Sequence, residues 1–241
     1  MTENLLSARG VVKSYGNSPA LKGVTIDVAA GEIVAVTGPS GCGKSTLLYC
    51  MSGILTPDAG EVTYQGKRVD AMSESERSKL RRGEFGVLFQ FGQLVAELSA
   101  VDNVALPLAL RGAKRRESRT AAMSWLERLG VADVADDLPG EMSGGQAQRV
   151  ALARALVTEP RVLFADEPTG ALDTLTGEAV LGHIVRVVRE QGTLVILIIH
   201  EVTVAAHADR EVMLRDGLVD PTGLGLGPKT IGAQPSVVAT R

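Results

Sequence analysis

Cysteine is nearly absent: two residues in 241, Cys42 and Cys50, eight positions apart around a glycine-rich turn. Such a pair builds neither a disulfide framework nor a metal-binding cluster, and a reducing compartment fits it. Positive charge is not in excess, since 25 Lys and Arg against 28 Asp and Glu leave a formal net charge of −3. Gripping duplex nucleic acid takes many phosphate-neutralising side chains on one face, so no nucleic-acid partner is expected. The local run Lys114, Arg115, Arg116 reads as the solvated start of a helix. Long apolar runs are missing too. Residues 104–110, broken by Pro107, and 194–199 fall far short of the ~20 residues that span a membrane. The first six residues carry Glu3 and no apolar stretch behind a basic start, so no secretory signal is visible. Any membrane role has to come through a partner. No internal repeat is present.

What remains suits one large folded unit: 45% hydrophobic and 22% charged residues supply both a core and solubility. Residues 5–15 and 20–28 read as strands joined by the turn Gly16-Asn17-Ser18-Pro19, and 61–69 reads as a hairpin around Gly66, together a small antiparallel lobe. A short apolar strand, 32–37, runs into a glycine turn and then a helix over 44–51 that Gly53 stops. From 94 to 156 the pattern is helical, with 119–129 amphipathic around Trp125. Two further buried strands, 162–165 and 194–199, are separated by a helix over 174–190, an alternation that implies parallel pairing. The expected fold is α/β: a P-loop core with a mostly parallel sheet, an N-terminal antiparallel β lobe and an α-helical lobe inserted at about 92–158. One catalytic domain is expected over 1–220, followed by a loosely held tail over 221–241.

Gly38-Pro39-Ser40-Gly41-Cys42-Gly43-Lys44-Ser45 fits the phosphate-loop pattern G-x-x-x-x-G-K-[ST] between a strand and a helix. Its glycines let successive backbone N–H groups converge on an anion, the helix dipole adds positive potential, and Lys44 supplies a point charge at the β- and γ-phosphates. Nucleotide contacts are expected from this loop through Thr46, and a Mg²⁺ contact from the Ser45 hydroxyl. Cys42 inside the loop reads either as a redox-sensitive thiol or as a small tolerated residue, the commoner case. Downstream, an apolar strand ends in Asp166-Glu167. Because successive strand side chains diverge, Asp166 suits the metal and Glu167 the attacking water, as general base.

Met142-Ser143-Gly144-Gly145-Gln146 is a second glycine turn, opening a helix over 147–157, and Ser143 lies 23 positions before Asp166. With this element the chain resembles the ABC ATPase family, whose signature reads Leu-Ser-Gly-Gly-Gln; the resemblance runs over about 5–219. It implies further roles: Tyr15 stacks on adenine, Gln90 touches Mg²⁺ and water and senses a membrane partner, Asp173 sits in a loop crossing to a second subunit, and His200 contacts the γ-phosphate. It also implies a head-to-tail homodimer in which Ser143, Gly144, Gly145 and Gln146 of one chain cap ATP held by the other. Met142, Ala147 and Gly170 depart from the usual residues, and a Leu-to-Met change keeps the volume. Since Lys44, Gln90, Asp166, Glu167 and His200 are all present, hydrolysis is expected. Residues 89–108 and 168–173 look like the lipoprotein-releasing and macrolide-exporting subfamily, which implies a permease partner with a large extracytoplasmic domain and a place on the inner face of the cell membrane.

A soluble ABC ATPase of translation or repair would bring tandem nucleotide domains, a long coiled-coil insertion or metal-binding cysteines, none of which occurs. The turn at 142–146 speaks against a P-loop kinase.

Overall fold

The computed structural model describes residues 4–90, 93–169, 174–199 and 208–220. Strands β1 (Asn4–Tyr15) and β2 (Ser18–Ala29) form an antiparallel pair, and β1 also pairs with β4 (Ala59–Tyr64), which turns into β5 (Lys67–Arg68). The expected antiparallel lobe is therefore a four-stranded sheet, ordered β2-β1-β4-β5.

Among the described residues the second sheet has six strands, in the order β10 (Leu218–Val219), β9 (Arg210–Arg215), β3 (Ile33–Thr37), β8 (Leu194–Ile198), β7 (Val162–Asp166) and β6 (Phe85–Leu88). Its middle is β3, β7 and β8, every residue of which is buried. Alternation on these strands divides the core in two. Ile33, Ala35, Leu163, Ala165, Val195 and Leu197 face one apolar cluster, while Val34, Val36, Val162, Phe164, Leu194, Ile196 and Ile198 face the other. Burial on both faces is what a parallel sheet requires, and it explains the unbroken apolar runs.

Helix α1 (Lys44–Met51) packs Leu47, Leu48 and Met51 on the face shared with the antiparallel lobe. On the opposite face lie α3 (Ala100–Leu110), α4 (Arg115–Arg128), α5 (Gly144–Leu156) and α6 (Thr174–Gln191). The helical texture expected from 94 onward is thus three α-helices and two 3-10 turns, with Trp125 and Leu126 of α4 buried as its amphipathic pattern foretold.

Four elements depart from the sequence reading: α2 (Glu74–Gly83), β6 (Phe85–Leu88), β9 (Arg210–Arg215) and β10 (Leu218–Val219). Strand β6 pairs in parallel with β7, and β9 in parallel with β3, extending the sheet on both sides. Helix α5 begins at Gly144, three residues before the expected start, because Ser143 and Gln146 close a reciprocal capping box around the two glycines.

Candidate nucleotide site

The carboxyl ends of β3 and β7 open on the same edge of the parallel sheet, where ligands of open α/β folds bind. From β3 the chain enters the loop of residues 38–43. Gly38 holds φ 138°, and a Cβ there would meet the Leu214 carbonyl oxygen at 2.0 Å. Gly43, at φ 104° in the left-handed region, is the N-cap of α1, with the Ala20 carbonyl 2.4 Å from the place of a Cβ. Backbone this closely enclosed excludes any side chain, which is the local reason for glycine at both positions.

Lys44, 5% exposed, donates from Nζ to the carbonyls of Gly38 at 2.8 Å and Pro39 at 3.1 Å, so the ammonium is tucked under the loop it serves. Ser45 Oγ donates to Asp166 Oδ1 at 3.1 Å, joining the first turn of α1 to the end of β7. One residue on, Glu167 has φ 47°, a sparsely populated conformation for a non-glycine residue. Its backbone N–H donates to Ile198 at the end of β8, and its Oε2 accepts from Gln90 Nε2 at 2.5 Å. The two carboxylates thus have different partners, Ser45 and Tyr49 for Asp166 and Gln90 for Glu167, with Glu167 lying beyond the end of β7 and off the strand alternation on which the sequence expectation rested.

Above the loop lies an open cavity of about 330 Å³, lined among others by Tyr15, Ser40, Gly41, Lys44, Thr46 and Glu167. Tyr15 is 53% exposed, an aromatic face offered to solvent at the cavity rim. Cys42 is buried and joins the apolar core beneath the loop, which favours the small-residue reading over an accessible thiol. Ser143 and Gly144 lie exposed at the start of α5 and do not line this cavity. Asp173 and His200 lie outside the described residues.

Electrostatically the site centres on Asp166, 3% exposed. Burial raises its carboxyl above the usual range, opposed by hydrogen bonds from Tyr49 and Ser45 and by the nearby Lys44 charge. Tyr49 is the residue that the sequence reading missed: its hydroxyl donates to Asp166 Oδ2 at 2.9 Å. Burial and the adjoining carboxylate raise the phenol, which stays a protonated donor. Its spacing was the available signal, because residues four apart on a helix share a face and Ser45 was already placed there.

Among the described residues no group of three or more His, Cys, Asp or Glu could cage a metal ion. The donors at hand are the Ser45 hydroxyl and the Asp166 carboxylate. Few, hard oxygen ligands beside an anion-binding loop suit Mg²⁺, which keeps waters and takes substrate phosphates as further ligands.

A phosphate loop between strand and helix, with an acidic pair ending the next strand but one, defines a P-loop nucleotide-binding fold. The comparisons carry this to a family. The profile described as "ABC transporter" matches residues 21–170. The lipoprotein-releasing system ATP-binding protein LolD 2 of Caulobacter vibrioides is 43% identical over 221 residues, covering 90% of this chain and 97% of that protein. An uncharacterized ABC transporter ATP-binding protein of Methanocaldococcus jannaschii, MJ1508, is 42% identical over 88% of this chain and 96% of its own length. Among solved structures, the dimeric, post-hydrolysis ATP-binding cassette MJ0796 bound to ADP and Pi matches with a TM-score of 0.85 and 37% identity, over 89% of this chain and 96% of that one. The chain belongs to the ABC transporter family, as an ATP-binding cassette.

Proposed function

We propose that this chain is the ATP-hydrolysing subunit of a membrane ABC transporter or force-transmitting complex, working as a homodimer closed by ATP. The observation that carries the reading is the Ser45–Asp166 hydrogen bond beneath the phosphate loop, with Glu167 beside it on the cavity wall. It joins the phosphate-holding helix to the acidic strand end in one site.

In this reading residues 38–46 hold the phosphates through backbone N–H groups and Lys44, and Tyr15 stacks on the adenine. Ser45, Gln90 and Asp166 would hold Mg²⁺, which when bound neutralises charge on the β- and γ-phosphates. Glu167 takes the proton of the water that attacks the γ-phosphorus; the bond to the bridging oxygen breaks, and ADP and phosphate leave. His200 contacts the γ-phosphate. Ser143, Gly144, Gly145 and Gln146 act on the ATP of the partner copy, with Asp173 at the crossing loop. The exposed capping box of α5, apart from the cavity, supports such a division into two half-sites. Hydrolysis removes the shared γ-phosphate and opens the pair.

Among the described residues no helix is long and apolar enough to cross a membrane. Coupling passes through a permease, a reading that the lipoprotein-releasing ATP-binding relatives support; the large extracytoplasmic domain of that permease is what the resemblance of residues 89–108 and 168–173 implies, with the cassette docking on its cytoplasmic side. Residues 1–220 act as the catalytic unit. The decisive test is Glu167→Gln in gel filtration with Mg-ATP. A dimer that forms with ATP and turns over at least about 100-fold slower than the parent is expected; a monomer in saturating Mg-ATP overturns the model. Co-purification of an integral membrane protein separates transport coupling from a soluble ABC ATPase.

A further inference from the structure

Asp166 accepts two side-chain hydroxyl hydrogen bonds, and both come from α1. Ser45 Oγ reaches Oδ1 at 3.1 Å and Tyr49 Oη reaches Oδ2 at 2.9 Å. The donors stand at i and i+4 on the helix, stacked on the face that meets the end of β7. The torsion that turns a carboxylate plane is broad and nearly two-fold, so one hydrogen bond leaves the plane loose while a donor on each oxygen fixes it. Asp166 is almost fully buried, so bulk water is a poor substitute for either donor. The Tyr49 ring is itself held, lying 6.1 Å from the Phe89 ring at an interplanar angle of 49°, directly before Gln90.

We propose that Tyr49 is a positioning residue for magnesium-dependent nucleotide binding: by holding Oδ2 of Asp166 it keeps Oδ1 turned toward Ser45. A serine hydroxyl has one proton, and donating it to Asp166 leaves the oxygen lone pairs for a hard cation. Tyr49 thus acts through Asp166 on the orientation of Ser45, and does not itself line the cavity above the loop. Lys44, the charged side chain of the loop, is directed instead to the loop carbonyls. The proposal rests on the nucleotide site described under Proposed function.

The test measures affinity for a fluorescent, non-hydrolysable ATP analogue in the full-length chain, once with excess Mg²⁺ and once with EDTA. Tyr49→Phe keeps the ring against Phe89 and removes only the hydroxyl. Its affinity in EDTA is expected to match the parent, while the gain on adding Mg²⁺ shrinks by about tenfold, the scale of one hydrogen bond to a charged group. Tyr49→Met, flexible and lacking the hydroxyl, should behave alike and serves if the phenylalanine variant does not fold. The same Mg²⁺-linked gain in variant and parent overturns the proposal. So does an equal weakening in Mg²⁺ and EDTA, the mark of a merely structural role. A parent that binds no analogue in either condition overturns the nucleotide-site reading itself.

Discussion

Gln90 Nε2 donates to Glu167 Oε2 at 2.5 Å, so the amide that follows β6 is already engaged with the carboxylate that follows β7. The parallel pairing of these strands, with Leu88 opposite Ala165, carries the two residues to neighbouring positions at the sheet edge. The proposed base and the loop that leads into the helical lobe are thereby one unit: moving the loop moves a hydrogen-bond donor on or off Glu167.

Replacing Gln90 tests that unit. Gln90→Glu sets two carboxylates within hydrogen-bond range, where like charges favour uptake of a shared proton. Turnover then requires that proton to leave, so the acidic limb of the pH profile of kcat/KM is expected to move up by roughly one pH unit. Gln90→Ala, which adds no charge, should lower kcat with the limb in place. Identical profiles for the two variants would separate Gln90 from the base.

The site was more legible than the frame around it, for physical reasons that particular residues show. Strands β3, β7 and β8 are buried on both faces and therefore write themselves as unbroken apolar runs. Strand β6 is only Phe-Gly-Val-Leu, too short and too glycine-rich to show a period, and β9 mixes Arg210, Glu211 and Arg215 with Val212 and Leu214. Helix α2 buries no residue, so no apolar stripe marks it; its one signal was the Ser73–Glu76 capping box. The hairpin of β9 and β10 turns on Asp216-Gly217, both at positive φ, a strong short-range turn signal that the sequence reading passed over. Gly144 and Gly145 read as a turn because glycine is a poor helix former, yet the cap residues at 143 and 146 draw them into α5. Tyr49 carried no motif, and only its helical register with Ser45 tied it to the site.

Gly86 of β6 packs closely against the end of α5. A Cβ there would stand 2.4 Å from the Ala155 carbonyl oxygen and 3.0 Å from Pro160 Cγ, and a backbone oxygen at the end of α5 has little room to yield. Gly86→Ala is expected to cost about 2 kcal/mol or more, several degrees in Tm for a chain of this length. Gly83→Ala is the control: a Cβ there meets nothing within 4 Å, and alanine suits the last turn of α2. Chemical denaturation of both variants checks the pair, and equal stability would mean that α5 shifts freely against β6.

Asp209 ties the strand edge remote from the phosphate loop. Its Oδ2 accepts from the Ile33 backbone N–H at 2.9 Å and its Oδ1 from Arg189 of α6 at 2.5 Å, so one carboxylate links the start of β3, the end of α6 and the entry to β9. Burial alone would raise this carboxyl, but Arg189 and the Ile33 N–H hold it below its usual 3.8. With the folded value below the unfolded one, the unfolded chain binds more protons through this window. The contribution is therefore complete above the unfolded value of about 4 and is lost as pH falls through the folded value. Both partners are partly exposed, so solvent screening keeps the charge part to about 1 kcal/mol or less. Asp209→Asn is expected to lower urea stability by that order at pH 7, and the gap to the parent should close as the pH is taken below about 3. A gap that persisted undiminished in acid would assign the role of Asp209 to its hydrogen-bond geometry and not to its charge.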